Sequence, residues 1–237
     1  MPACAGMTAV ELPKVSGKLR ILITGFGPFP GSPYNPTQAL VARLTKLRRP
    51  AFADVDLSSH IFPVTYQAVD DELPIALEAH KPHALLMFGL ASRTAYVRIE
   101  TRARNAVTML WPDAAHTKVR KGSIGLGPDA MSFGPHTGKL LRAADSTGID
   151  ARTSRDAGSY LCNYLSWRAI ESVNTDATLR LAAFVHVPLI ARDGSPRRKG
   201  FPRITLEQLV DAGEAMLQET VRLARRVKRS KVCQRPY

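Results

Sequence analysis

Cys162 lies in Ala157-Gly-Ser-Tyr-Leu-Cys-Asn-Tyr164, and His186 follows 24 positions later in Phe184-Val-His-Val-Pro188. A thiol at the start of a helix and an imidazole near the end of a strand are the two halves of a cysteine nucleophile. Gly158 lets the chain swing from strand to helix, and the positive end of the helix favours a thiolate. Pro188 stops the strand that carries His186, which puts the ring at a sheet edge, where active sites of open α/β sheets collect. Glu100 completes the set at the end of Ala95-Tyr-Val-Arg-Ile-Glu100, because a buried carboxylate fixes the imidazole tautomer and stabilises its protonated form. Each residue also has a plainer reading by itself. A cysteine among apolar residues is an inert core side chain, a histidine in an apolar strand is structural, and a glutamate at a strand end is a surface charge.

The elements that must position these groups alternate. Arg20–Gly25, His60–Thr65 and His83–Gly89 read as strands, two of them closed by a glycine, and Ala95–Glu100 as a strand with one wetter face. Helical patterns follow at 37–44, 67–80 and 136–147. A further strand is expected at Ile149–Thr153, a helix from Cys162 to about Ser172, and an apolar strand at Leu179–Val187. Thr205 with Gln208 suits a capping box for a last helix with an apolar stripe. Residues 110–134 are rich in Gly, Pro and Asp and read as a long, functional type of loop. The alternation implies a single-domain three-layer α/β sandwich, a mostly parallel twisted sheet with helices on both faces. Residues 1–18 read as a flexible extension, 19–229 as the domain and 230–237 as a basic tail.

Composition narrows the class. A chain of 237 residues with 45% apolar content supports one large α/β domain. No apolar run reaches the length of a membrane span, and residues 1–18 lack the apolar segment of a secretory signal. Three cysteines, two of them near the ends, argue against a disulfide framework and for a reducing, cytoplasmic setting. No Cys or His pair has zinc-ligand spacing, so neither metal nor cofactor is expected. The formal charge of +13 invites a nucleic-acid reading, but residues 192–237 hold 12 Lys/Arg against 5 Asp/Glu, so over half the excess sits near one end. No aromatics are interleaved there as a single-strand binder requires. A solvated basic helix end is the simpler account, and no specific nucleic acid is expected.

The chain from about Arg20 to Arg226 resembles the pyroglutamyl peptidase I family of cysteine peptidases. Four segments carry the resemblance, in order. They are Thr24-Gly-Phe-Gly-Pro-Phe29 with Asn35-Pro-Thr37, then Gly89-Leu-Ala91 through Glu100 to Asn105-Ala106, then Ala157–Tyr164, and finally Phe184–Pro188. The resemblance implies a phosphorylase/hydrolase-like fold, with Cys162 as nucleophile, His186 as general base and Glu100 as its orienting partner. It implies removal of N-terminal pyroglutamate (5-oxoproline) from peptides by a homo-oligomeric enzyme. A flat lactam without an ammonium needs apolar walls and a few amide-matched hydrogen bonds. Phe26 and Phe29 stand where such walls belong, or are plain core. Tyr160 matches a position whose aromatic ring packs on the lactam. Asn35 bonds the substrate or merely forms an Asn-Pro turn. The backbone around Leu90 matches the stretch that pairs with the ring amide.

Two departures stand out. Thr101 follows the glutamate where the family usually has arginine, and Leu110, beside Trp111, stands near another family arginine. Arg102 or Arg104 are candidate substitutes. The departures keep open a weakened homologue that binds lactams or capped peptides without efficient turnover, and the charge of +13 with the terminal Lys/Arg run keeps open a basic nucleic-acid-binding module.

Overall fold

A computed structural model describes residues 17–190 and 204–226. Most of the expected N-terminal extension, the loop around Arg197–Lys199 and the basic tail lie outside these residues. Among the described residues thirteen strands and α-helices follow in chain order: β1 (Leu19–Phe26), α1 (Pro36–Thr45), β2 (Val55–Phe62), α2 (Tyr66–His80), β3 (Ala84–Leu90), β4 (Val97–Glu100), β5 (Arg102–Arg104), β6 (Ala130–Ser132), α3 (Thr137–Asp145), β7 (Ala151–Ser154), α4 (Leu161–Thr175), β8 (Leu181–Val187) and α5 (Leu206–Arg226).

Six strands form one sheet in the order β2-β1-β3-β8-β4-β7. β2, β1, β3 and β8 run parallel, whereas β4 lies antiparallel to β8 and parallel to β7. The central strands β1, β3 and β8 are mostly apolar because both faces are covered. Ile21, Ile23, Leu86, Phe88, Ala183 and Val185 pack beneath α1, α3 and α5. Leu22, Phe26, Leu85, Met87, Ala182 and Phe184 pack beneath α2 and α4. The three-layer α/β expectation therefore holds.

Local signals account for the helix ends. Asn35 caps α1 by accepting from Thr37 N, and Pro36 occupies the first helical turn, where its missing N–H costs nothing. Thr65 caps α2 through Ala68 N. Thr205 and Gln208 form the expected capping box, with Thr205 N donating to Gln208 Oε1 at 2.9 Å and Gln208 N to Thr205 Oγ1 at 3.2 Å.

Three expectations need adjustment. The second strand is Val55–Phe62, ahead of the span 60–65, because Pro63 cannot donate to the ladder. The long loop contains β6, which pairs antiparallel with β5 and makes a small second sheet. Glu100 ends β4, but β4 runs against β8, so this tip does not point the same way as the tip that carries His186.

Candidate active site

β8 ends on the axis of the site. Ala182, Phe184 and His186 alternate onto the face covered by α4, and the His186 ring is buried against the Phe184 ring at 5.0 Å between centroids. Antiparallel pairing sets Arg98 directly across from His186 and Ile99 across from Val185, so Glu100 reaches His186 from the next same-face position. Glu100 Oε1 lies 2.7 Å from His186 Nδ1, with both side chains buried. An Nδ1–H donated to this carboxylate leaves the Nε2 lone pair free to take a proton.

Cys162 is the second residue of α4. The turn before it is built for a sharp reversal: Gly158 adopts φ +85°, a value an L residue resists, and its N–H donates to Asp156 Oδ1 at 2.9 Å. Arg104 holds the turn from outside, with Nη2 2.9 Å from Asp156 Oδ1 and 3.1 Å from Gly158 O. Arg102 Nε donates to Arg155 O at 2.8 Å. Both candidate substitutes for the family arginines are thus engaged with the turn. No side chain caps the start of α4, so its first N–H groups remain available to a developing oxyanion.

Gly89 brings the thiol to the sheet. It is the register partner of His186 on β3, and a Cβ placed on it would stand 2.7 Å from Cys162 Sγ and 2.6 Å from the Phe184 ring. Only a glycine permits this approach, which sets the thiol over the β3 residue that lies beside His186 in register. Asn163, fully buried, ties α4 to the strand beyond Glu100. Its Nδ2 donates to Arg104 O and Ala106 O, both at 2.8 Å, and its Oδ1 accepts from Arg104 N at 2.9 Å.

The electrostatics depart from the expected thiolate. Burial pushes the Cys162 thiol up to about 12, and the Glu100 charge adds to that rise. Arg98 and the backbone N–H at the helix start pull the other way and are outweighed. Burial also lowers His186 against the opposing hydrogen bond and charge of Glu100. Burial thus favours the neutral forms of both groups, against the pull of the helix end on the thiol.

The other sequence candidates divide. Tyr160 forms the N-cap position of α4, half-buried, with its hydroxyl donating to Pro112 O at 2.9 Å and its ring edge-on to Tyr66. Leu90 ends β3. There the β1–β3 ladder has already stopped at Thr24↔Met87 while the β3–β8 ladder runs on to Leu90↔Val187. One backbone edge of Phe88–Leu90 is thus left beyond the β1 ladder, at the point where the order of connections reverses. Phe26 is core, packed on Phe62, and Phe29 is half-buried against the same cluster. Asn35 is committed to structure: Nδ2 donates to Gly27 O at 3.0 Å and Oδ1 accepts from Thr37 N and Oγ1.

Sequence reasoning missed Arg98 and Asn163, and gave Gly89 no site role. The missed signals were a cation two residues before Glu100 in an alternating strand, and a glycine where a strand meets the site. A concavity of about 790 Å³ lies far from this chemistry, between Lys18 and the segment Thr45–Leu57. Among the described residues no group of three or more His, Cys, Asp or Glu is arranged to hold a metal, and no helix is long and apolar enough to cross a membrane.

Known proteins share this fold and much of this sequence. The pattern of the pyroglutamyl peptidase family matches residues 19–222. Pyrrolidone-carboxylate peptidase of Vibrio vulnificus is 31% identical over 200 residues, covering 84% of this chain and 91% of the relative. The Pyrococcus furiosus enzyme is 30% identical over 173 residues, covering 73% and 82%. The crystal structure of pyrrolidone carboxyl peptidase from Fervidobacterium islandicum matches with a TM-score of 0.77 at 30% identity, covering 85% of this chain and 97% of that one. The Thermococcus litoralis structure matches with a TM-score of 0.79 at 25% identity, covering 90% and 99%.

Proposed function

The chain belongs to the pyroglutamyl peptidase family of cysteine hydrolases, and from that premise we propose that it releases N-terminal pyroglutamate from peptides through Cys162, His186 and Glu100. One observation carries the assignment of residues. Cys162 Sγ rests on Gly89, the register partner of His186, and His186 Nδ1 lies 2.7 Å from Glu100.

His186 Nε2 removes the thiol proton as Cys162 Sγ attacks the carbonyl carbon of the pyroglutamyl residue. The resulting oxyanion is met by free N–H groups at the start of α4. Collapse breaks the C–N bond, and the imidazolium gives its proton to the departing amine. His186 then takes a proton from water as it attacks the thioester, releasing 5-oxoproline and restoring the thiol. Glu100 keeps Nδ1 as donor throughout and stabilises the transient imidazolium. Because burial holds Cys162 as a thiol, proton removal accompanies attack rather than preceding it.

Tyr160, Phe29 and the backbone of Phe88–Leu90 border the proposed lactam site. The open stretch of β3 supplies amide-matched hydrogen bonds there, and Phe26 supports the wall from the core. Asn35 has one Nδ2 hydrogen left after its structural bonds. The family resemblance also supports a cytoplasmic homo-oligomer, and sedimentation of the purified chain tests its assembly.

Release of aminomethylcoumarin from a pyroglutamyl conjugate tests the activity. The expected result is turnover by the wild type and none by Cys162→Ala; equal release by both, or none by either, rejects the proposal. The raised thiol favours one second reading, a homologue that binds without efficient turnover. An acyl-enzyme burst under single-turnover conditions counts against it.

A further inference from the structure

β4 sends Val97 and Ile99 into the apolar cluster on one face, so Arg98 and Glu100 share the other. Arg98 is the cross-strand partner of His186. Its Nη2 lies 3.1 Å from His186 Nδ1, and its Nε lies 3.3 Å from Glu100 Oε1. Its side chain is 22% exposed, so the charge sits largely out of water.

Two groups, the Arg98 guanidinium and the Glu100 carboxylate, therefore converge on one ring nitrogen, which holds one proton at most. If Nδ1 carries that proton, it donates to Glu100, Nε2 is a base, and the guanidinium pairs with the carboxylate alone. If Nδ1 accepts from Arg98, the proton sits on Nε2 and the ring cannot take the thiol proton. Which state prevails depends on how Arg98 divides itself between carboxylate and ring. The other charged groups acting on His186 are Glu100 on the same strand as Arg98 and Asp156 in the turn before α4, while the Cys162 thiol of α4 stands over Gly89, the register partner of His186. Arg104 is tied to Asp156 and Arg102 to Arg155 O, which leaves Arg98 as the cation in contact with the ring among the described residues.

We propose that Arg98 is a positioning residue that clamps the Glu100 carboxylate against His186 and sets the tautomer and proton affinity of the ring. The proposal rests on the reading of His186 as general base. It places a cation inside the orienting pair, in a chain that has Thr101 where the family resemblance leads one to expect an arginine and Leu110 near the place of another.

Removing Arg98 has a defined sign. The guanidinium disfavours an imidazolium, so its loss raises the proton affinity of His186 and requires a higher pH for the free base. The test compares kcat and kcat/KM across pH for wild type, Arg98→Gln and Arg98→Lys on the pyroglutamyl conjugate. A ¹⁵N-imidazole titration of all three in a Cys162→Ser background runs alongside. For Arg98→Gln the acid limb moves up by about one pH unit, kcat at the optimum falls about tenfold and KM stays within about twofold. Arg98→Lys keeps the charge and returns the acid limb close to wild type, with kcat only partly recovered because the fork is lost. An unshifted acid limb and unshifted ring titration in Arg98→Gln would overturn the proposal, as would equal displacement in Arg98→Lys. Absence of wild-type turnover would defeat the peptidase reading instead, and the ring titration would still decide the role of Arg98. If Arg98→Gln does not fold, the Arg98→Lys profile decides alone: a limb displaced as far as about one unit refutes the charge argument.

Discussion

Leu181, Ala183, Val185 and Val187 of β8 enter the apolar cluster beneath α1, α3 and α5, while Ala182, Phe184 and His186 of the same strand face α2 and α4. On the first face, ion pairs keep to the rim. Arg49–Glu214, Arg43–Glu207 and Arg225–Asp54 all have at least one exposed partner and add little stability. On the second face, Glu100 and His186 are buried together beside Arg98 and a half-buried thiol. Buried charge is costly and often replaceable by apolar packing without loss. On the first face the buried Glu219 of α5 pairs with an exposed Arg222, whereas on the second a carboxylate and an imidazole are buried against each other, and that contrast separates a surface kept for chemistry from one kept for cohesion.

The sharpest way to break this contrast uses neighbours in one strand. His186→Ala is expected to lower kcat/KM by about 10³–10⁴-fold or more, in a protein that still folds. Val185→Ala, one residue away on the other face, is expected to cost about 2 kcal/mol of stability and leave kcat of the folded fraction within about twofold. Denaturant melts paired with coumarin release check both. A Val185→Ala enzyme as inactive as His186→Ala would show that the faces are not functionally distinct.

A pair of glycines sharpens the contrast. At Gly89 a methyl group meets Cys162 Sγ at 2.7 Å and the Phe184 ring at 2.6 Å, and both are held in the core. Gly89→Ala should displace the thiol and cut kcat by about 10²-fold, with about 1–3 kcal/mol of strain. At Gly213 in α5 a methyl group meets the ends of Leu44 and Leu40 at 3.0–3.3 Å. There the helix gains about 1 kcal/mol in propensity, which offsets the repacking of flexible leucine tips, so Gly213→Ala should change stability little and kcat not at all. Melting temperatures and single-turnover rates distinguish the two.

Much of the cohesive face was legible in the sequence, because apolar runs and caps are local signals. Asn35, Thr65 and Thr205 mark helix starts by their own side chains. Cys162, His186 and Glu100 were legible as chemistry-bearing types at element ends. Their mutual placement was not, because it depends on strand order. The six residues between β3 and β4 are too few for a parallel crossover, which needs a dozen or more, so the reversal of β4 was readable in principle. That β8, 80 residues later, inserts between them was not, and Arg98 meets His186 only through that insertion. The thiol's protonation was likewise illegible: the helix start is local, but the burial that outweighs it is tertiary.

Protonation gives a smaller, graded test. Burial raises the Cys162 thiol from its ordinary value near 9 to about 12, so the folded enzyme holds the proton after the unfolded chain has released it. Stability from this group is therefore full below pH 9 and lost as pH climbs toward 12. Alkylation by iodoacetamide should be slow at pH 6–7 and rise into the alkaline range. A fast plateau at pH 6 would indicate a resting thiolate–imidazolium pair instead. In Cys162→Ser the alkaline loss of stability should shrink, while Val185→Ala should keep it.

The smallest effect is expected at Leu110, where the family resemblance leads one to expect an arginine near the site. Here the strip Met109-Leu110-Trp111 is exposed, with Leu110 at 77%, although its flanks are pinned to the start of α4 by Thr108 N to Ser159 O and by the Tyr160 hydroxyl to Pro112 O. A guanidinium at so open a position interacts through water and salt, where charge–charge terms are weak. Arg98 already places a cation against Glu100 and His186. Leu110→Arg should therefore raise kcat/KM by less than about threefold in ordinary salt, and the gain should vanish at 0.5 M salt. The double change Leu110→Arg with Arg98→Gln discriminates further. If a surface arginine substitutes for a buried one, the double variant recovers the wild-type pH profile. If contact with the ring is what matters, the profile stays that of Arg98→Gln. A gain above about tenfold from Leu110→Arg alone would place the missing charge at the mouth of the site rather than beneath it, and would remove the distinction between the buried cluster and its exposed rim.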